Sequence, residues 1–193
     1  QYASSPYAFF TIGSILAVRF SAYITARGFP KKSAGEDFYL LNKVAKLGRV
    51  ARLTGCTVEL EARVSDRVPF GTGPAVSKIM ALLENGEDYC YYNPLVFEHL
   101  KHLYSCLHEL AAQRSELSLW LSVQPRIFTD ALLAINFPKF VKNQSNSDDV
   151  QFLKQFHVWF DAFKTLKFIH ALRELGLKDV PLIGSLDSAS FLN

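Results

Sequence analysis

The chain has 193 residues, a hydrophobic fraction of 49% and a formal net charge of +3. That length suits one ordinary domain or a domain with an appendage, and the apolar content, with 16 Phe, excludes a disordered chain. Lys and Arg are scattered with no block, which argues against a nucleic-acid partner but leaves a mildly basic surface suited to phosphate-bearing ligands or an anionic membrane face.

Cys56, Cys90 and Cys106 form no CxxC pair, and an odd count argues against a disulfide framework. They read as reduced thiols in a cytoplasmic setting. The apolar stretch from Tyr7 to Val18 is about 12 residues long, whereas a membrane span needs roughly 20. The chain opens on Gln1 rather than Met, which a fragment, a removed tag or processing would each produce.

In chain order, Phe9 to Ile12 reads as a short buried strand. Gly13 and Ser14 turn it into an apolar helix from Ile15 to Tyr23, and Gly28-Phe29-Pro30 makes a loop. Ser33 and Glu36 have the spacing of a capping box. It opens a helix carrying Phe38, Leu41, Val44 and Ala45, with Gly48 as its left-handed end. Thr57 to Val64 alternates in polarity as a half-buried strand does, and an irregular loop follows to Gly73. Pro74 starts a helix. Asn93 caps a longer one with a stripe of Val96, Leu100, Leu103, Leu107 and Leu110. A further helix near Pro125 carries Phe128, Ala131, Leu132 and Ile135. After a polar loop, Ser147 caps a last long helix that closes near Gly176.

The expected architecture is α/β to α+β: an α/β piece over residues 1–73 and a mainly helical region over 74–193. The strands of the first piece are too few for an independent sheet and call for partners from elsewhere. Exposed sheet edges in such a piece would also favour a homo-oligomer.

An ordered set of motifs carries a resemblance. Thr11-Ile12-Gly13-Ser14, Val18-Arg19, Gly28-Phe29-Pro30, Gly35-Glu36-Asp37-Phe38-Tyr39-Leu40-Leu41 and Lys46-Leu47-Gly48 follow one another with spacings that resemble the acceptor-side half of family-2 glycosyltransferases with the GT-A fold. The run from Arg63 to Gly73 and the Phe163 to Arg173 helix look like a bacterial subgroup of these enzymes. The resemblance is good over about residues 1–80 and loose beyond.

The resemblance implies a partial GT-A-type nucleotide-diphospho-sugar transferase half, part of an inverting enzyme that moves a sugar from a nucleotide-diphosphate donor to an acceptor hydroxyl. It makes Asp37 the catalytic base, with Glu36 orienting it or touching the acceptor, and places Gly13 and Ser14 on the acceptor side of the cleft. The D-x-D motif and the nucleotide-binding sheet of the family are absent from the 193 residues. They are expected upstream, where they would hold Mg or Mn, so this piece alone is expected to be inactive. The Q-x-x-R-W motif of processive members is also absent, which favours a single addition.

The 63–73 loop has its own chemistry. Arginines make charge-assisted, often bidentate bonds to phosphate, and glycines let backbone N–H groups approach oxygen. Two readings stay open. Arg63, Asp66, Arg67, Gly71, Thr72 and Gly73 close over the leaving diphosphate, or the arginines pair with Glu59, Glu61 or Asp66 on a solvated face.

Three further groups are weighed. His99, His102, Cys106 and Glu109 share a helix face and suit zinc, or are a solvated face. Tyr89, Tyr91 and Tyr92 stack on a sugar, or pack. The Phe-rich last helix with Lys154, Lys164 and Lys167 lies peripherally on the inner membrane face, or packs. The alternative to a transferase is a non-enzymatic helical interaction or membrane-docking module.

Overall fold

The computed structural model describes residues 2–55, 57–59 and 71–189. The chain divides into two compact units, one formed by Pro6–Tyr89 and the other by Gln1–Ser5 with Cys90–Asn193. Of the described residues, 59% are helical and 2% are in strands, which overturns the α/β to α+β expectation and its partial GT-A half. The strands among them are β1 (Cys90–Tyr91) and β2 (Val180–Pro181), an antiparallel pair with Cys90 opposite Pro181. Phe9 to Ile12 is irregular chain with Phe10 62% exposed, and Thr57 to Glu59 is irregular too. Apolar runs and polarity alternation define a face, but a strand also needs a hydrogen-bonding neighbour, and among the described residues none pairs with these segments. Residues 60–64 of the second expected strand lie outside the described residues.

In the Pro6–Tyr89 unit, a 3-10 turn at Gly13–Ile15 leads through extended Leu16 to α1 (Phe20–Thr25), so the expected helix from Ile15 to Tyr23 starts late. Arg27 and Gly28 are both left-handed, and the Gly28 N–H closes on the Tyr23 carbonyl at 2.9 Å. A Cβ at Gly28 would sit 2.9 Å from the Tyr23 hydroxyl, so this turn needs glycine twice over. The helix α2 (Glu36–Val44) buries Leu40, Leu41 and Asn42. Its N-cap is Gly35 at φ 72° with no side-chain cap, not the Ser33 capping box. Gly48 is not the left-handed end of α2: its φ is not positive, and its N–H bonds back to Val44 at 3.2 Å. The helix α3 (Thr72–Glu84) has Pro74 in its first turn and ends at left-handed Gly86.

The second unit holds most of the core. It comprises α4 (Leu95–Ser105), α5 (Leu107–Gln113), α6 (Leu117–Ser122), α7 (Arg126–Ala134), α8 (Phe137–Asn143), α9 (Asp149–Trp159), α10 (Ala162–Glu174) and α11 (Leu182–Ser188). Asn93 Oδ1 accepts the Leu95 N–H at 3.0 Å, as the capping reading requires, and Val96, Leu100, Leu103, Leu107 and Leu110 are all buried. The helix α10 packs on α7 and α4, and α5 packs on α9. Phe128, Phe152, Phe156, Phe160 and Phe168 are fully buried, and their rings meet edge-on, tilted and stacked. Arg114 ties the unit's middle together: its guanidinium donates to the carbonyls of Ala111 and Ser147 and to Asp149.

The expected long last helix is two. Asp148, not Ser147, caps α9 by accepting the Gln151 N–H at 2.7 Å. Asp161 then caps α10 by accepting the N–H groups of Phe163 and Lys164, both at 3.1 Å. An Asp inside a helical run offers the backbone a competing acceptor, and here it starts a new helix. Asp161→Ala is expected to cost about 1 kcal/mol in urea unfolding.

His99 is half-buried, its ring stacked on Phe128 at 6.1 Å. Burial first, and the neighbouring His102 second, hold its pKa below the ordinary 6.5, against the opposing pull of Glu98. A histidine kept neutral by the fold stabilises it fully above 6.5, and that stability is lost as pH falls through 6.5 toward the lower folded value. Urea midpoints taken from pH 7.5 down to 5 should therefore fall, and His99→Gln should flatten that fall.

Candidate functional site

In the Pro6–Tyr89 unit, the fold brings two of the sequence-derived site residues together. Asp37 stands in the first turn of α2, where the amide dipoles favour a carboxylate. Its Oδ1 accepts the Phe38 N–H at 2.7 Å. A Cβ built at Gly13 would lie 3.3 Å from Asp37 Oδ2 and 3.3 Å from Asp37 Cβ. The missing side chain of residue 13 therefore leaves room for the second carboxylate oxygen. Asp37 is half-buried, and Glu36 beside it is exposed.

Left-handed Gly35 sets the direction in which α2 starts. Any L-residue with a side chain is strained at that angle. Lys43 ties the last turn of α2 to the end of α1, its ammonium donating to the Ala26 carbonyl at 3.2 Å. Lys32 lies 5.3 Å from the Tyr39 ring centre.

Ser14 falls in the 3-10 turn beside Gly13. Gly71, at φ 114°, precedes α3, and Thr72 and Gly73 are its first two residues. Gly73 is buried, and its carbonyl accepts from the Ser77 hydroxyl at 3.3 Å. Arg63, Asp66 and Arg67 lie outside the described residues, as do Cys56 and Glu61.

The helix-face histidines behave as packing groups. His102 Nε2 meets Gln124 Oε1 at 2.8 Å, and the Cys106 thiol lies 3.6 Å from His102 Nδ1. Burial pushes the Cys106 thiol pKa up, which keeps it protonated. Glu109 falls on α5, beyond the helix break at Cys106. Among the described residues, no group of three or more His, Cys, Asp and Glu converges as a metal site.

Tyr89 lies under Lys78 in the first unit, while the Tyr92 hydroxyl meets His170 Nε2 at 3.2 Å in the second. Phe152, Phe156, Phe160 and Phe168 of the last helices all point into the core. Among the described residues, no helix is long and apolar enough to cross a membrane.

No family model, no curated protein and no solved structure matches the chain.

Proposed function

We propose that this chain is the acceptor-side portion of an inverting glycosyltransferase, with Asp37 as the general base. The acceptor hydroxyl gives its proton to the Asp37 carboxylate while its oxygen bonds to the anomeric carbon of the donor. The bond from that carbon to the diphosphate breaks, its electron pair leaves with the nucleoside diphosphate, and the anomeric centre inverts. Glu36 orients the base or touches the acceptor, and Gly13 and Ser14 flank the hydroxyl. Arg67 with Arg63 neutralises the leaving group, aided by backbone N–H groups of the Gly71-Thr72-Gly73 turn.

The observation that supports this reading is the apposition of Gly13 and Asp37, two positions drawn from separate motifs of the resemblance. A base needs an oxygen that the fold leaves uncovered, and Oδ2 faces a residue with no side chain. The sequence has no D-x-D, and the described residues offer no group of three or more metal-ligating side chains. In this reading the metal and the donor are held by residues outside the 193.

Sugar transfer by the enzyme joined to its donor-binding half decides the matter, and unimpaired turnover by Asp37→Asn refutes it. Gly13→Ala provides a second check. Its new methyl presses on the Asp37 carboxylate, so kcat should drop while stability changes by less than about 0.5 kcal/mol at this exposed site.

One observation favours a second reading. Residues 90–193 with 1–5 form a helical body with its own aromatic core, which suits a helical interaction module. That reading gains if the protein joined to its donor-binding half transfers no sugar.

A further inference from the structure

A cleft of about 580 Å³ opens in the second unit along α8, α9 and the start of α10. That volume falls within the range of small-molecule sites. Four primary amides line it: Asn136, Asn143, Gln144 and Gln155. Their side chains make no hydrogen bond among the described residues. The lining also carries two ammonium groups, Lys139 and Lys164, and no carboxylate.

Lys164 is held in place. Its Nζ donates to the Ile135 carbonyl at 2.8 Å and sits 4.9 Å from the Trp159 ring centre. The indole is fixed in turn by stacking on Phe140, with ring centres 4.5 Å apart. One bonded acceptor leaves an ammonium two further N–H donors. Burial first, and Lys167 second, lower the pKa of Lys164 against the pull of Asp161.

The chemistry of the lining selects among ligands. Lysines without carboxylates call for an anion. The amide carbonyls are acceptors, and they call for O–H or N–H donors on the same ligand. A fully ionised phosphate supplies only acceptors. A sugar acid supplies both, with hydroxyls that give and take hydrogen bonds beside a carboxylate. We propose that this cleft binds an acidic saccharide, with a uronic-acid carboxylate on Lys164 and Lys139 and ring hydroxyls on the four amides. Trp159 and Val158 form the apolar wall. The inference does not rest on the sugar-transfer reading, because the cleft lies wholly in the second unit and needs no chemistry at Asp37.

The test is titration of the full chain with digalacturonate, with lactose as a neutral saccharide and citrate as an anion without a sugar ring. Binding is followed by calorimetry and by the side-chain N–H resonances of Asn, Gln and Trp. Digalacturonate should bind roughly tenfold more tightly than lactose, the scale of one added charge-assisted hydrogen bond. Lys139→Gln, at an exposed position, should remove that preference without disturbing the fold. Gln155→Ala should weaken both sugars. Failure of digalacturonate to bind overturns the inference, as does equal affinity for lactose. Citrate binding as tightly as digalacturonate overturns it too, since the cleft would then be a bare cationic patch. None of these outcomes bears on turnover by the Asp37 variants, so the two readings fail separately.

Discussion

Asp37→Asn in the transferase joined to its donor-binding half is expected to lower kcat by a factor of about 10² to 10⁴, the contribution of a positioned general base. That range corresponds to about 3–5 kcal/mol of transition-state stabilisation. Asn has nearly the same shape, and the amide oxygen can still accept the Phe38 N–H that Oδ1 accepts now. The start of α2 should therefore stand, and donor binding should be unchanged in calorimetry. A parallel rise in the acceptor KM with no fall in kcat would instead make Asp37 a binding group. Glu36→Gln should cost less, because that carboxylate is exposed to solvent, whereas Asp37 is half-buried against Gly13.

Phe156→Ala is expected to destabilise the helical unit by about 3–5 kcal/mol, the usual loss for a buried aromatic. Phe156 is fully buried, and its ring contacts Phe140, Trp159, Phe160 and Tyr104. Truncation would leave a cavity bounded by rings that are themselves pinned, so little of it can collapse. Urea unfolding measures the loss, and the milder Phe156→Leu should cost less than about 1.5 kcal/mol. A Phe156→Ala loss under about 1 kcal/mol would mean that the aromatic cluster is far softer than its packing implies.

The helices of the second unit were legible where periodicity and capping agreed. Asn93 and the Leu100-Leu103-Leu107-Leu110 stripe announced as one helix what the structure breaks at Cys106 into α4 and α5, and Phe128, Ala131, Leu132 and Ile135 announced α7. Asp161 was passed over because the apolar spacing runs straight through it. Its side chain competes locally with helix bonding, an effect that a pattern of large residues does not register. Ser33 promised a capping box, but Gly35 in the left-handed region turns the chain before the serine can reach the first turn.

The strand expected over Phe9 to Ile12 failed for a different reason: an apolar run describes which side would face a core, and pairing depends on segments elsewhere. The carboxylate of the candidate site was readable only through the ordered motifs around it, since two acids opening a helix are ordinary dipole partners. The amide-lined cleft left no trace in the sequence. Asn143, Gln155 and Lys164 come from three helices and Asn136 from the turn before α8, and surface amides have no period of their own.

Ala3 is 4% exposed within the helical core, Tyr2 donates to Glu98 at 2.6 Å, and the Tyr104 hydroxyl donates to Ser5 at 3.2 Å. Burial pushes the pKa of Tyr104 up to about 12, so that donor stays protonated at any physiological pH. Residues 2–5 thus belong to a body whose other parts follow the whole Pro6–Tyr89 unit in sequence. During synthesis this short segment waits without Glu98 and Tyr104 until α4 has been made. The chain leaves one folded body and returns to it, so closing that body requires a segment and partners that emerge far apart in time.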